Sequence, residues 1–185
     1  MIRRARLEGR DHYVVPTVMI LNGSWAGSRG PIHYPAPVLR ASARLWNGKP
    51  VVVYHPDMRS GGYADHPDVY DRQKVGVLFH TRYDGRRLTA EAWLDEERTL
   101  RVDGRVLEAV KVRRVLNVST GMEVRVDRAS VARKIVPDHL AILPDRPGAC
   151  SVDDGAGLCR NRSEGADGAF ALFLDAPVID FSGRR

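Results

Sequence analysis

Short apolar runs and stretches of strand-like alternation predict a mostly β chain with one or two helices. Residues 11–22 (DHYVVPTVMILN) are dense in β-branched side chains and predict an opening strand or two. Pro16 marks an edge or a bulge there, because proline brings no ladder N–H. Residues 23–37 hold Gly23, Gly27, Gly30, Pro31, Pro35 and Pro37 and read as a loop. Residues 38–46 (VLRASARLW) predict a short helix, stopped by Asn47-Gly48 and Pro50. Pro50 to Tyr54 is a continuous apolar run of the kind found in buried strands, and it delivers His55-Pro56 at its end. The polar stretch from Asp57 to Arg72 reads as a surface or active-site loop, because it is too long for a spacer.

A hairpin follows. KVGVLFHTR (74–82) and RLTAEAWL (87–94) flank a turn carrying Asp84-Gly85, and Leu88, Ala90, Ala92 and Leu94 recur with period 2. Residues 95–114 read as helical, with Leu100, Leu107 and Val110 at i, i+7 and i+10 and an interruption or second cap at Asp103-Gly104. Residues 115–126 (VLNVSTGMEVRV) return to strand with Ser119-Thr120-Gly121 in the middle, and 135–143 (IVPDHLAIL) form a last strand carrying Asp138-His139. PDRPG, residues 144–148, ends it. The pattern predicts a mainly β (α+β) domain over 1–148 with one or two packed helices. Residues 149–168 turn rich in Gly, Ser, Asp and Asn and read as a flexible linker, ahead of a C-terminal segment over 169–185 that is apolar from Ala169 to Phe181.

Composition narrows the classes. With 43% hydrophobic and 28% charged residues over 185 positions, the chain is neither disordered nor a helical membrane protein. Its apolar runs are strand-sized and fall far short of the roughly 20 residues of a spanning helix. No secretory signal is read, since the basic start at Met1-Ile2-Arg3-Arg4 leads into an apolar stretch broken by Pro16. Two cysteines do not make a disulfide scaffold, which leaves a reducing cytoplasm as the default. The net charge of +6 invites a nucleic-acid reading, but the basic residues come in scattered pairs interleaved with acids, as in Asp95-Glu96-Glu97-Arg98. Nucleic acid and membrane are therefore not the expected partners.

There is no phosphate-cradling glycine loop, and Cys150 and Cys159 lack the second pair of a zinc site. A metal reading on His55, His66 and His80, with Asp57 or Asp65, fits no metal-site spacing, so neither metal nor cofactor is called for. His12, His33, His66 and His80 read as ordinary surface or loop histidines. Ser119 with His55 and His139 is a different matter. A serine hydroxyl becomes a nucleophile when a histidine takes its proton and a third group orients that histidine. Three strand positions can converge although distant in sequence.

The ordered series NGKPVVVYHP, KVGVLF, DGRRLTAEAWL, a helix, VLNVSTGMEV and IVPDHLAILPDRPGAC resembles the prohead (capsid maturation) proteases of tailed bacteriophages, over about residues 10–150. That family is related in fold to the herpesvirus assemblins, so the resemblance implies an assemblin-like β-barrel. It puts the catalytic histidine on His55 and the nucleophile on Ser119. Phage relatives often carry glutamate as the third member and assemblins carry histidine; this chain offers His139 beside Asp138. Strict alternation would point those two side chains to opposite faces, leaving one to serve, and His139 is favoured. The resemblance further gives Arg146 a backbone N–H for the oxyanion. Thr120 departs from the family pattern, in which many relatives have an apolar residue between serine and glycine.

The implied activity is a serine endopeptidase with a Ser-His-His triad, trimming capsid precursor and scaffold polypeptides, and itself, inside the prohead in the host cytoplasm. A homodimer is a further expected partner, since assemblin relatives often depend on dimerisation. The competing readings are a non-enzymatic head-assembly protein on the same barrel and, further off, a basic nucleic-acid-binding β-barrel.

Overall fold

The alternating segments do form strands. The computed structural model describes residues 1–28, 30–57 and 62–160. In chain order it contains β1 (Arg3–Leu7), β2 (Arg10–Leu21), β3 (Gly23–Gly27), β4 (Gly30–Tyr34), α1 (Ala36–Ser42) running into a 3-10 turn at Ala43–Trp46, and β5 (Pro50–Val53). Then come α2 (Pro67–Arg72), β6 (Lys74–Tyr83), β7 (Arg87–Asp95), α3 (Glu96–Lys111), β8 (Asn117–Val126), β9 (Ala132–Leu143) and β10 (Gly157–Leu158).

The chain is mainly β, with a mixed eight-stranded sheet in the order β1-β2-β7-β6-β5-β9-β8 and a separate β3–β4 ribbon. Within the large sheet β5 and β9 run parallel and the other pairs are antiparallel. β10 pairs with β2, and its Leu158 exchanges bonds of 3.3 and 2.9 Å with Leu116, just ahead of β8. A two-residue strand thus links the β2 side of the sheet to the β8 side. Pro16 fits this layout: β2 pairs with β1 over 10–14 and with β10 over 17–18, so proline falls in the gap between them. The main core holds Val15, Met19, Leu39, Trp46, Leu78, Leu94, Leu140, Ile142 and Leu158, all buried.

Four expectations need correction. The glycine- and proline-rich stretch 23–37 is not simply a loop, because β3 and β4 pair from Gly23↔Tyr34 to Gly27↔Gly30 and α1 opens at Ala36. The expected loop 57–72 contains α2, whose first turn His66 caps by accepting from the Asp68 N–H. Leu100 does not face the core and is 64% exposed. Asp103 takes an extended conformation (φ −159°, ψ 102°) inside α3, which breaks the helical phase linking Leu100 to Leu107 and Val110. Thr99 turns inward instead, its hydroxyl donating to the Asp95 carbonyl at 2.6 Å. Finally, the stretch read as a linker is packed as far as residue 160: Cys150, Ala156, Leu158 and Cys159 are buried, and Val152 N–H donates to the Asn117 side chain at 2.9 Å. The remainder of that stretch and the segment 169–185 lie outside the described residues. Among the described residues no helix is long and apolar enough to cross a membrane.

Candidate active site

Three neighbouring strands assemble the site. Val52 of β5 lies opposite Ala141 of β9, which lies opposite Ser119 of β8, so the three form one row across the sheet. One step along, His139 faces Gly121. Ser119 and Gly121 share a face of β8 because side chains two apart point the same way. Over this face sits a second apolar cluster of Val52, Ala64, Val69, Ala141 and Leu143, with Tyr54 against it, contributed partly by α2 and the residues before it.

His55 leaves the end of β5 through a left-handed turn. Tyr54 has φ +62°, unusual for a bulky side chain, and such a conformation persists only where its surroundings hold it. Here they do. The Tyr54 N–H donates to the Ile142 carbonyl at 3.0 Å. The Tyr54 hydroxyl donates to Asp145 at 2.6 Å and accepts from the Arg105 guanidinium at 2.9 Å. Arg105 also bonds Asp145 and Asp103, and the Arg146 guanidinium lies 4.5 Å from the Tyr54 ring centre. The turn directs His55 back across the sheet to His139.

The result is a hydrogen-bonded chain. His55 Nδ1 and His139 Nε2 are 2.7 Å apart, with the rings edge-on at 68°. His139 Nδ1 and Asp138 Oδ2 are 2.5 Å apart, and the same oxygen accepts from the Ala64 N–H at 3.0 Å. Proton placement follows from the inventory of donors. An ionised carboxylate only accepts, so His139 Nδ1 donates. A neutral His139 then has a bare Nε2, which must accept from His55 Nδ1–H. That leaves His55 Nε2 unprotonated, with no hydrogen-bond partner among the described residues.

Both imidazoles are held neutral. Burial chiefly, then the neighbouring His139 and the positive Arg146, push the His55 pKa down to about 4. Burial also lowers that of His139, with Asp138 pulling the other way. His139 is 2% exposed, whereas His55 reaches solvent at the mouth of the site.

Asp138 and His139 do not alternate as expected. Gly121 pairs with His139 but Met122 pairs with Pro137, so Asp138 is the extra residue of a β-bulge. A bulge breaks the two-residue period, and both side chains serve one network. Gly121 is equally specific: a Cβ there would lie 2.0 Å from His139 Cε1 and 2.3 Å from Nε2. The imidazole rests against the glycine backbone, and no other residue leaves that space.

Ser119 is half-buried on the same face, and its hydroxyl makes no hydrogen bond among the described residues. Catalytic hydrogen bonds are often long before substrate arrives, so an unpaired hydroxyl is compatible with a nucleophile. The Arg146 backbone N–H likewise donates to no described residue. Gly121 as the seat of the His139 ring and the Tyr54–Arg105–Asp145 network are the parts that the sequence did not single out, and Asp138, weighed there only as an alternative to His139, bonds to it instead; the Pro137-Asp138-His139 run was the available signal for a bulge.

The other histidines are elsewhere. His66 caps α2, His80 bonds Glu91 at 2.8 Å, His33 bonds Ser24 at 3.1 Å, and His12 is buried on β2 with Nδ1 3.0 Å from the Arg10 carbonyl. His12 is thus not the surface histidine expected. His55, His66 and His80 do not form a ligand set, and no metal-binding group of His, Cys, Asp and Glu occurs among the described residues. Cys150 and Cys159 are free and buried. No family model, curated protein or solved structure matches the chain.

Proposed function

We propose that the chain is a serine endopeptidase of the prohead-protease kind, its sheet serving as an assemblin-like barrel and its triad being Ser119, His55 and His139. One observation carries the reading: His55 Nδ1 lies 2.7 Å from Nε2 of a buried His139, whose ring rests against Gly121, two residues from Ser119 on β8; with the protons placed as above, His55 Nε2 is bare. That is the protonation pattern a serine nucleophile requires.

In the reaction, Ser119 Oγ attacks the scissile carbonyl carbon and its proton passes to His55 Nε2. The carbonyl oxygen becomes an oxyanion and takes hydrogen bonds from backbone N–H groups, that of Arg146 among them. Collapse breaks the C–N bond, and the leaving amine takes the proton from His55. Water then attacks the acyl ester, again through His55, and Ser119 is regenerated. A neutral His139 supports the imidazolium less than a carboxylate in contact would. Modest turnover suits a prohead, where substrate is confined at high local concentration.

The substrates are capsid precursor and scaffold polypeptides. Co-expression of the full chain with the capsid precursor encoded by the same phage tests this by intact mass. Discrete fragments are expected with wild type and none with Ser119→Ala or His55→Ala. An uncut precursor in all three refutes proteolysis and favours a non-enzymatic assembly role.

A further inference from the structure

We infer that Asp138 is a positioning residue and the fourth member of the site: it fixes the proton on His139 Nδ1, and through His139 it keeps His55 Nε2 bare. The part of this inference that concerns Ser119 rests on the hydrolase reading above; the assignment of the protons does not.

The geometry leaves one consistent arrangement. A single carboxylate oxygen accepts from His139 Nδ1 at 2.5 Å and from the Ala64 N–H at 3.0 Å. Were His139 protonated on Nε2 instead, its Nδ1 lone pair would face that carboxylate oxygen. His139 Nε2–H would then donate to His55 Nδ1 across the 2.7 Å contact. His55 would carry its proton on Nε2, the atom that must be bare to accept from a serine. The proton that Asp138 selects on one ring therefore sets the base character of the next, because the tautomer of an imidazole follows the bond its other nitrogen makes. The bulge supplies the means: Asp138 has no partner residue in the β8 ladder, so its side chain can turn to the ring of its own neighbour. The carboxylate also gives the buried His139 a negative neighbour when positive charge develops on the pair.

Two measurements on the full chain test it. In protein labelled with 15N-histidine, long-range 1H–15N correlation at neutral pH reads each tautomer. Wild type should show both rings protonated at Nδ1, and Asp138→Ala should return His139 to Nε2–H. In the second, a fluorophosphonate labels Ser119, losing fluoride as the Ser119 proton passes to His55, and the rate is followed by intact mass against pH. Asp138→Ala should slow labelling about 10–100-fold. Asp138→Asn keeps an oxygen acceptor and should lose less. In both variants the acid limb should move to lower pH, which a merely structural role would not cause. Nε2–H on His139 in wild type overturns the inference, as do rates and acid limbs within twofold of wild type in both variants. Wild type with the expected tautomers but no labelling sinks the hydrolase reading and leaves Asp138 as assigned.

Discussion

Gly121→Ala is the sharpest perturbation of the site that replaces none of its polar side chains. The added Cβ would meet three atoms of the His139 ring at 2.0, 2.3 and 2.4 Å, where ordinary contact begins near 3.4 Å. The ring must retreat by about 1.4 Å, and at 2% exposure it has no free space to enter. Its bonds of 2.7 Å to His55 and 2.5 Å to Asp138 cannot both survive a shift of that size. Overpacking of this kind costs about 1–3 kcal/mol, or a fall of roughly 2–12 °C in Tm for a domain of this size. The chemical loss should be larger, about 10²-fold or more in fluorophosphonate labelling, because the oriented base is lost. Circular-dichroism melting and labelling rate, read on the same sample, separate the two effects. Gly27→Ala is the control, since a Cβ at Gly27 meets nothing within 4 Å. Wild-type labelling by Gly121→Ala would refute the placement of the His139 ring over Gly121.

Three more outcomes follow. Because the folded state holds both site histidines below the ordinary value of 6.5, the unfolded chain takes up their protons first as pH falls. Stability should therefore decline between pH 6.5 and about 4, and urea midpoints should fall less steeply there in His55→Gln than in wild type; equal slopes would contradict the neutral His55–His139 pair. Arg105→Ala removes the clamp on Tyr54 and Asp145 and should slow labelling by up to about 10²-fold through misplacement of His55, with little change in Tm. Labelling at the wild-type rate would show that the clamp does not position the site. Burial pushes the thiols of Cys150 and Cys159 up to about 11 and about 12, so iodoacetamide should modify neither at mildly alkaline pH until the chain is unfolded. Rapid alkylation of the native protein, counted by mass, would disprove that burial.

Strands β2 and β5 to β9 were legible from apolar runs and period-2 alternation, and in β7 Leu88, Ala90, Ala92 and Leu94 face the core as the pattern demands; β1 (Arg3–Leu7) was not read. The Asp84-Gly85 turn was readable for the same local reason, with Asp84 capping the N–H groups of Arg86 and Arg87. Tertiary contacts decided the rest. Nothing local tells Gly23–Gly27 to pair with Gly30–Tyr34, and nothing in Cys150 to Leu158 announces that a short strand will join the two sides of the sheet. The site was half legible. His55 at a strand end, Ser119 two residues before a glycine and His139 within a strand could each be picked out, and the structure brings His55 and His139 into hydrogen-bond contact. Asp138 was set against His139 because alternation assumes a regular ladder. The bulge that makes them partners arises from the pairing of β8 with β9, not from either strand alone.

Intact mass after exposure to a fluorophosphonate decides whether Ser119 is an activated nucleophile. Wild type should gain the mass of one phosphonyl group, mapped to Ser119 by peptide sequencing, and Ser119→Ala should gain none. A wild-type chain left unmodified under conditions that fully label a control serine hydrolase would contradict the account, as would equal modification of Ser119→Ala.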